Sequence, residues 1–342
     1  MAGTILVTGG AGYIGTHTAV ALLERGYEVV IVDDFSNSSP KAIEAVRRLT
    51  GKNVTFIEAD LTRSDEIDAV FEAHPIEAVI HFAGLKAVGE SMDEPLRYYR
   101  VNLLSTMNLL DSMARYDVWD FVFSSSATVY GDPETLPIPE GASTGPTNPY
   151  GRTKLMVEDM CRDVAASDSR WRISLLRYFN PVGAHPSGEI GEDPTGQPNN
   201  LVPFVMQVAV GRREKVQVFG DDYDTPDGTG VRDYIHVTDL ALGHIAALDN
   251  LDDGCEEINL GSGTGVSVLE IIKATEAVSG NPVPYEIVDR RGGDIATSLA
   301  DPSRANKKLE WRADRSLEVM IKDSWNWQSK HPYGFGDDPT DE

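Results

Sequence analysis

The chain has 342 residues, which is enough for about two domains of ordinary size. With 41% hydrophobic and 25% charged residues, its composition is that of a globular protein. The 30 Lys and Arg residues face 54 Asp and Glu residues, so the formal net charge is −24 at pH 7. A surface this acidic repels phosphate backbones and anionic lipids, which argues against nucleic-acid or membrane binding as the main activity.

The excess of carboxylates has two interpretations. The first is ordinary solubility, and the second is adaptation to high salt, where screening weakens the repulsion between carboxylates. We favour the second interpretation and predict a halophilic protein.

The two cysteines, Cys161 and Cys255, belong to no CxxC motif or Cys/His cluster, so we expect neither a metal site nor a disulfide framework. The first ten residues have no basic segment ahead of their apolar run, unlike a signal peptide. No apolar stretch approaches the ~20 residues that span a bilayer. The sequence therefore predicts a cytoplasmic protein.

Short apolar runs alternate with helical patterns through the first half of the chain. The runs are apolar on both faces, as in buried parallel strands, and cover residues 4–8, 28–32, 54–58, 78–82, 121–124 and 173–176. The helical patterns cover residues 14–25, 41–49, 64–73, 95–115 and 149–166. This alternation predicts an α/β fold with a doubly wound parallel sheet of the Rossmann type.

The pattern changes after residue 180, where a segment rich in Pro, Gly and Asn begins. Strands are predicted at residues 216–219 and 257–260, and helices at residues 201–210, 237–250, 268–278 and 316–328. We expect a Rossmann domain over residues 1–180. A smaller mixed α/β domain over residues 181–342 would hold the substrate and be partly interleaved with the first.

A glycine-rich segment, Gly9-Gly-Ala-Gly-Tyr-Ile-Gly15, follows the first predicted strand and opens the first helix. Gly9, Gly12 and Gly15 fit the dinucleotide pattern, in which glycine lets the backbone approach a pyrophosphate. Asp33 ends the second strand near the spacing of ~20 residues expected for the acid that binds the adenosine ribose. Because an anionic Asp33 would repel a 2′-phosphate, we expect NAD rather than NADP.

Two further segments follow predicted strands and so lie at the edge where ligands bind in open α/β sheets. Asp60 and Leu61 follow the third strand, and Asp60 would either accept a hydrogen bond from the adenine amino group or cap the next helix. Phe82, Ala83 and Gly84 follow the fourth strand, and we expect them to line the cofactor.

Tyr150 and Lys154 form a Tyr-x-x-x-Lys pattern near the start of a predicted helix. Asn148 and Pro149 suit the N-cap and the first helical position, which places the two side chains on one face, a turn apart. The preceding strand runs into hydroxyl-bearing residues at 124–128. This combination is typical of carbonyl–alcohol redox chemistry with a nicotinamide cofactor.

In that chemistry Tyr150 would take the proton of a substrate hydroxyl while hydride leaves the same carbon. A free tyrosine titrates near ~10, and a cation ~5 Å away lowers this by roughly two units at an effective dielectric of ~20. We therefore expect Lys154, with the charge of the nicotinamide, to lower the pKa of Tyr150. Either Ser126 or Thr128 would hydrogen-bond the reacting oxygen.

His81 and His236 are interpreted as structural residues.

Long segments of the chain resemble the extended short-chain dehydrogenase/reductase family, and within it the branch of UDP-hexose 4-epimerases. The resemblance covers nearly the whole chain, and one specific segment reads Leu-Arg-Tyr-Phe-Asn-Pro-Val-Gly-Ala-His-Pro at residues 176–186. The other segments that carry it are residues 6–15, 81–91, 124–131, 191–194, 198–201 and 227–237.

The resemblance implies inversion at C4 of a UDP-hexose by transient hydride transfer to tightly bound NAD, through a 4-keto sugar. It makes Tyr150 the base, Lys154 its electrostatic partner and Ser126 a ligand of the substrate O4. The implied cofactor contacts are Tyr13, Ile14, Asp33, Asn37, Asp60, Leu61, Phe82, Lys86, Asn102, Ser124 and Tyr178. The implied substrate contacts are Asn180, Asn200, Phe219, Arg232, Arg291 and Asp294. A homodimer through helices 95–115 and 149–166 is also implied.

Arg232 and Arg291 would neutralise the diphosphate of the substrate locally in this acidic chain, because the donors of a guanidinium group match the oxygens of a diphosphate.

In the same branch, a residue at the position of Ser298 faces the C2 substituent of the sugar. A tyrosine there excludes an acetamido group and a small residue admits it. The resemblance therefore implies that UDP-N-acetylhexoses are substrates too, unless Thr297 or Leu299 closes the pocket instead.

Three other functions remain to be weighed. A sugar-nucleotide 4,6-dehydratase needs a carboxylate near residues 124–128, and this segment has none. A ketoreductase would exchange NADPH at each turnover and has no use for the two arginines. A non-catalytic cofactor-sensing regulator would not need Tyr150, Lys154 and Ser126.

Overall fold

The computed structural model describes residues 3–193 and 196–336. Its strands, in chain order, are β1 (Thr4–Thr8), β2 (Glu28–Asp33), β3 (Thr55–Glu58), β4 (Ala78–His81), β5 (Asp120–Ser124), β6 (Arg172–Tyr178), β7 (Asn180–Val182), β8 (Val216–Phe219), β9 (Val231–His236), β10 (Gly254–Leu260), β11 (Gly265–Ser267), β12 (Tyr285–Val288) and β13 (Thr297–Ser298).

The helices, in chain order, are α1 (Tyr13–Glu24), α2 (Pro40–Thr50), α3 (Ser64–Ala73), α4 (Val88–Asp93), α5 (Pro95–Arg115), α6 (Pro149–Ser167), α7 (Leu201–Ala209), α8 (Val237–Asp249), α9 (Val268–Ser279), α10 (Ser303–Lys308) and α11 (Leu317–Lys330). A short 3₁₀ helix, Ala127–Tyr130, follows β5. None of the helices in residues 3–193 and 196–336 has the length and apolar character needed to cross a lipid bilayer.

A parallel sheet of seven strands, in the order β3-β2-β1-β4-β5-β6-β10, organises the larger part of the chain. From β1 the chain builds outward to β3 and then returns to the other side of β1 as β4. The loops after β1 and β4 therefore diverge, which opens a crevice at the carboxyl edge of the sheet. The predicted doubly wound Rossmann-type sheet is confirmed.

Helices cover both faces of this sheet, because its strands are apolar on both sides. Ile5 and Val7 face the core that includes residues of α1, α2 and α8. Leu6 faces the opposite core, which includes residues of α3, α5 and α6. The predicted elements of the first half are all present, with ends shifted by one or two residues.

Residues 237–260 depart from a simple division of the chain at residue 180. The predicted strand at 257–260 is the end of β10, which pairs with β6 at the edge of the large sheet. α8 packs into the same core as α1. We propose that these residues belong to the Rossmann domain, as one part of the interleaving that the sequence predicts.

The remaining strands form two small sheets. β9 pairs with β7, β11 and β13, and β8 pairs with β12. α7, α9 and α11 contribute to the core of this part. The sequence analysis missed β7, β9, β11, β12 and β13. Four of these strands have only two to four residues, and β9, Val231–His236, contains Arg232 and Asp233, so none has a long apolar run.

Candidate active site

The glycine-rich segment joins β1 to α1 at the carboxyl edge of the sheet. Gly9 has a φ of 66°, and a Cβ atom there would lie 2.6 Å from the backbone nitrogen of Ala83. At Gly15 a Cβ atom would lie 2.4 Å from the carbonyl oxygen of Gly9. Gly12 is the N-cap of α1 and makes no side-chain cap. A loop without side chains at these positions lets a pyrophosphate reach the backbone and the helix N-terminus, which fits a dinucleotide.

Asp33 ends β2 beside this loop. Its Oδ2 accepts a hydrogen bond from the backbone nitrogen of Ala11 at 3.0 Å. Its Oδ1 accepts from the backbone nitrogen of Phe35 at 3.0 Å and from the hydroxyl of Ser38 at 2.7 Å. Burial raises the pKa of Asp33, although these hydrogen bonds act in the opposite direction. Asp33 therefore fixes the glycine-rich loop, and its contact with a ribose stays a prediction.

A cleft with about 390 Å³ of empty space, part of it open to solvent, runs past the start of α1. Tyr13, Asn37, Lys86 and Glu192 are among the residues that line it. The phenol of Tyr13 donates to the carbonyl oxygen of Gly183 at 2.6 Å. This contact joins the start of α1 to the segment that follows β7.

Glu192 is a residue of this cleft to which the sequence analysis gave no role. Its Oε1 lies 3.8 Å from Nζ of Lys86 and accepts a hydrogen bond from Nδ2 of Asn200 at 2.9 Å. Burial raises the pKa of Glu192. The carboxylate thus connects a predicted cofactor residue with a predicted substrate residue, and only the folded structure shows it.

The two alternatives for Asp60 can be compared with its hydrogen bonds. Its Oδ1 accepts from both the backbone nitrogen and the hydroxyl of Thr62 at 2.8 Å. This is a local turn interaction. The next helix, α3, has Arg63 at its N-cap and no side-chain cap, so the prediction that Asp60 caps it is wrong, and adenine binding stays a prediction. Leu61 is buried in the core, and Ile14 packs against the core on the other face of the sheet.

Asn102 of α5 holds the loop after β4 in place. Its side chain accepts from the backbone nitrogen of Leu85 at 2.8 Å and donates to the Leu85 carbonyl oxygen at 3.0 Å. It also donates to the hydroxyl of Thr153 at 3.0 Å. Gly84 has a φ of 146°, and a Cβ atom there would lie 3.0 Å from Oδ1 of Asn102. A direct cofactor contact of Asn102 stays a prediction.

Tyr150 and Lys154 lie in the first turns of α6, whose N-terminus is capped by Asn148 with Pro149 at its start. Both side chains are buried. The Lys154 ammonium lies 5.9 Å from the centre of the Tyr150 ring and donates to the carbonyl oxygen of Ser124 at 2.8 Å. The structure therefore brings the predicted base and its predicted partner together at the end of β5.

Ser126 and Thr128 share one hydrogen-bonded arrangement at the start of the 3₁₀ helix. Oγ of Ser126 accepts from the backbone nitrogen of Thr128 at 3.2 Å and from the Thr128 hydroxyl at 3.0 Å. Its own proton remains to be donated, and a hydrogen bond from Ser126 favours the phenolate of Tyr150. This geometry favours Ser126 over Thr128 as the donor to a reacting oxygen.

Burial and the neighbouring side chains shift the pKa values of both Tyr150 and Lys154. Burial raises the pKa of Tyr150, the nearby Tyr178 raises it further, and the hydrogen bond from Ser126 lowers it. Burial also lowers the pKa of Lys154 to about 8, and the charge of Glu158 opposes this shift. Burial is therefore the largest effect on Tyr150 among the protein's own side chains, and the lowering of its pKa by Lys154 together with the charge of the nicotinamide stays a prediction.

Ser124, Tyr178 and Phe82 occupy neighbouring strand ends. The Ser124 hydroxyl donates to the phenol oxygen of Tyr178 at 2.9 Å. The rings of Phe82 and Tyr178 have centroids 4.7 and 6.1 Å from that of the buried His244. These three predicted cofactor residues lie along the carboxyl edge of the sheet, where Lys154 of α6 hydrogen-bonds to Ser124.

Predicted substrate residues lie on the small sheets of the second part. In the pairing of β9 with β13, Arg232 is directly opposite Ser298. The next residue, Leu299, accepts a hydrogen bond from the backbone nitrogen of Ile138 at 2.8 Å. Ser298 is therefore tied both to Arg232 and to the segment that follows the 3₁₀ helix.

The other substrate residues are partly exposed. Arg291 has its guanidinium 5.5 Å from the centre of the Phe219 ring and donates to Oδ1 of Asp294 at 2.9 Å. Asn180 begins β7 and pairs with Tyr234 of β9. The structure thus groups Phe219, Arg291 and Asp294, and places Asn180 next to the strand of Arg232.

The two histidines interpreted as structural are both hydrogen-bonded. Nδ1 of His81 is 2.6 Å from Oγ1 of Thr8, and its Nε2 is 3.1 Å from Oγ1 of Thr106. His236 accepts from the backbone nitrogen of Thr238 at 3.0 Å and lies 3.2 Å from Asp323. Within the described part of the chain, no cluster of three or more His, Cys, Asp or Glu residues is arranged to hold a metal ion.

A Rossmann sheet with this glycine loop and a Tyr/Lys/Ser group at its carboxyl edge defines a dinucleotide-dependent enzyme. Residues 5–261 match the sequence profile of the NAD dependent epimerase/dehydratase family. The chain belongs to this family.

Within that family, several similar proteins are named UDP-glucose 4-epimerase. The chain is 60% identical to the UDP-glucose 4-epimerase of Bacillus subtilis, over 97% of this chain and 98% of that protein. It is 55% identical to the mouse enzyme, with 97% and 98% covered. The crystal structure of the Bifidobacterium longum UDP-glucose 4-epimerase in complex with NAD⁺ and UDP superimposes with a TM-score of 0.94 at 56% identity, covering 97% of this chain and 100% of that one.

Proposed function

We propose that this protein is an NAD-dependent UDP-glucose 4-epimerase. The observation that carries the proposal is the placement of Tyr150, Lys154 and Ser126 at the end of β5, on the sheet whose β1–α1 loop is built for a dinucleotide. Relatives at 55–60% identity with the same activity in their names support it.

Tyr150 holds and moves the proton of the sugar hydroxyl at its phenol oxygen. Ser126 orients the reacting oxygen through its remaining proton, and Lys154 stabilises the phenolate from the other side. The residues that would hold the cofactor are Gly9, Gly12, Tyr13, Ile14, Gly15, Asp33, Asn37, Asp60, Leu61, Phe82, Ala83, Gly84, Lys86, Asn102, Ser124 and Tyr178. When bound, NAD supplies the hydride acceptor and donor for C4 and a positive charge beside the phenol.

Arg232 and Arg291 would bind the diphosphate of the substrate, with Asn180, Asn200, Phe219 and Asp294 around it. Arg291 is exposed and pairs with Asp294 through Nη2, so its other nitrogens can bind an anion. In a chain with a net charge of −24, such cations are needed locally for the protein to accept a doubly charged ligand.

The arrangement disfavours a 4,6-dehydratase. Elimination of water would need a carboxylate beside residues 124–128. The carboxylate that approaches this segment, Glu158, is engaged by Ser125 and by Arg177. The intact Tyr150 and Lys154 also disfavour a non-catalytic sensor.

The decisive experiment is to incubate the purified protein with UDP-galactose without added cofactor and to measure UDP-glucose. We expect turnover, because NAD is retained and regenerated within each cycle. Protein that contains NAD and still forms no UDP-glucose would refute the proposal.

We further propose that UDP-N-acetylglucosamine and UDP-N-acetylgalactosamine are substrates. Ser298 is small and partly buried, and it lies opposite Arg232 in the sheet. With the diphosphate bound by Arg232, we place the sugar beside Ser298, where a serine leaves more room for an acetamido group than a tyrosine would.

We also propose a homodimer that forms through α5 and α6. Both helices expose large apolar side chains, with Leu96, Met107 and Met156 exposed by 73%, 43% and 40%. Exposed apolar side chains on adjacent helices are typical of interfaces. A halophilic character and a cytoplasmic location stay predictions from composition.

A further inference from the structure

An ion pair between Glu158 and Arg177 lies buried beside the catalytic group. Their side chains are 0% and 2% exposed. Nε of Arg177 donates to Oε1 of Glu158 at 2.9 Å, and Nη2 donates to Oε2 at 2.5 Å. The pair is therefore bidentate and removed from water, the strongest arrangement that these two groups can form.

Glu158 holds the middle of three consecutive serines. Ser125 donates its hydroxyl to Oε1 of Glu158 at 2.6 Å. On one side of it, the carbonyl oxygen of Ser124 accepts the hydrogen bond of Lys154. On the other side, the hydroxyl of Ser126 is near enough to Tyr150 to lower the pKa of its phenol. Because the three residues are contiguous, the anchor at Ser125 fixes both neighbours.

Glu158 is also aligned with the catalytic residues along α6. Tyr150, Lys154 and Glu158 follow one another at intervals of four residues, so they lie on one face of the helix. The Glu158 carboxylate also accepts from Nη2 of Arg162 at 2.9 Å. Burial acts to raise the pKa of Glu158, but the hydrogen bonds and charge of Arg177 outweigh it and the pKa is lowered. Glu158 is therefore a fixed anion one turn from Lys154.

Stability alone gives no reason for this pair. Removing two charges from water costs about as much free energy as their attraction returns, and apolar side chains of similar volume often serve equally well. The position of the pair, joined to Ser125 and aligned with Lys154, offers another reason.

We propose that Glu158, held by Arg177, is the positioning residue that fixes residues 124–126 and the ammonium of Lys154 relative to Tyr150. This inference rests on the proposed epimerase activity, because it assigns a task within proton transfer at Tyr150.

The titratable and charged groups near the Tyr150–Lys154 pair come from four elements: Tyr150 and Glu158 from α6, His81 from β4, Arg177 and Tyr178 from β6, and Tyr98 from α5. Burial lowers the pKa of His81 to about 3, so His81 adds no positive charge near neutral pH. Arg177 and Lys154 are cations, and Glu158 is the anion that favours the charged form of Lys154.

The test is the pH dependence of kcat with UDP-galactose for wild type, Glu158→Gln and the double variant Glu158→Gln/Arg177→Gln. Since catalysis needs the ammonium, kcat of the wild type should fall as the pH rises through the Lys154 pKa, which is about 8. Without the Glu158 charge this fall should begin roughly one to two pH units lower. In the double variant both charges are gone, and the fall should lie between the other two.

The matched control is Asp120→Asn. Asp120 accepts two hydrogen bonds of 2.6 Å from the guanidinium of Arg172. These two residues lie at the amino ends of β5 and β6, the strands whose carboxyl ends carry Ser124 and Arg177. This pair is remote from the carboxyl edge, so the pH profile of kcat should match the wild type. A folded Glu158→Gln protein with the wild-type pH profile would overturn the inference, as would an equal shift in Asp120→Asn.

If Glu158→Gln does not fold, the variant Ser125→Ala tests the positioning role of Glu158 instead. It keeps both charges and removes only the hydroxyl that joins the serines to Glu158. We expect kcat to fall about tenfold, the equivalent of one hydrogen bond, with KM unchanged. A wild-type kcat in Ser125→Ala overturns the inference. Wild-type protein that fails to turn over UDP-galactose overturns the proposed function itself, which separates the two failures.

Discussion

The ammonium of Lys154 and the carbonyl oxygen of Ser124 are joined by a hydrogen bond of 2.8 Å. This contact fixes Lys154 to the end of β5, which is followed by Ser126. Ser124, Ser126 and Lys154 are therefore held in place around Tyr150 by the same segment of the chain. The contact also means that Lys154 is oriented by the backbone and does not depend on the phenol for its position. A change at Tyr150 should therefore leave the rest of the site in place.

The first prediction follows from this independence. Tyr150→Phe removes only the phenol oxygen, so kcat should fall by about two to four orders of magnitude, the range for loss of a general base. Folding and NAD content should stay near the wild-type values. Turnover of UDP-galactose, the melting temperature and the absorbance of released cofactor give the three measurements. Activity close to wild type in this variant would contradict the mechanism.

The second prediction separates Ser126 from Thr128. The Thr128 hydroxyl donates its hydrogen bond to Ser126. The Ser126 hydroxyl can therefore donate to the substrate or to Tyr150. Ser126→Ala should lower kcat about 100-fold or more, as for loss of a donor to the reacting oxygen. Thr128→Val should lower it about tenfold, because it disturbs only the orientation of Ser126. A larger loss in Thr128→Val would assign the contact to Thr128.

The third prediction concerns substrate breadth. Ser298→Tyr should abolish epimerisation of UDP-N-acetylglucosamine and leave UDP-galactose turnover within a fewfold of wild type, because the ring fills the space of the acetamido group. Thr297→Tyr is the matched control, since neighbouring residues of a strand point to opposite faces. Selective loss in Thr297→Tyr instead would move the pocket wall to Thr297. Wild-type protein without any N-acetyl activity would refute the proposal.

The fourth prediction concerns salt. Self-repulsion of 24 excess negative charges destabilises the fold, and KCl at about 1 M reduces the screening length to roughly 3 Å. The melting temperature and the activity should therefore rise with KCl into the molar range. Sucrose at matched osmolality stabilises without screening and serves as the control. A melting temperature that is flat in KCl, or that rises equally in sucrose, would rule out the electrostatic explanation.

The fifth prediction concerns the dimer. Met107→Glu/Met156→Glu places two carboxylates on α5 and α6, and it should convert the protein into a monomer in light scattering at a fixed KCl concentration. Val319→Glu, at a site of 37% exposure on α11, is the control and should leave the mass unchanged. A dimer that survives the double substitution would place the interface elsewhere.

The sequence by itself determined the Rossmann sheet, the glycine loop and the Tyr150–Lys154 spacing. These features depend on interactions within a few residues: apolar runs that must be buried on both faces, glycines at a tight turn, and a helix repeat that sets two side chains on one face.

Only the tertiary structure decided which distant residues meet. Glu192 connects Lys86 with Asn200, and Arg177 reaches Glu158 from another strand. It also decided the environment of Tyr150, because burial, the largest cause of its raised pKa, depends on every element packed over the ring. Short strands such as β13 likewise exist only through their partners, since two residues bury too little surface to define a strand alone.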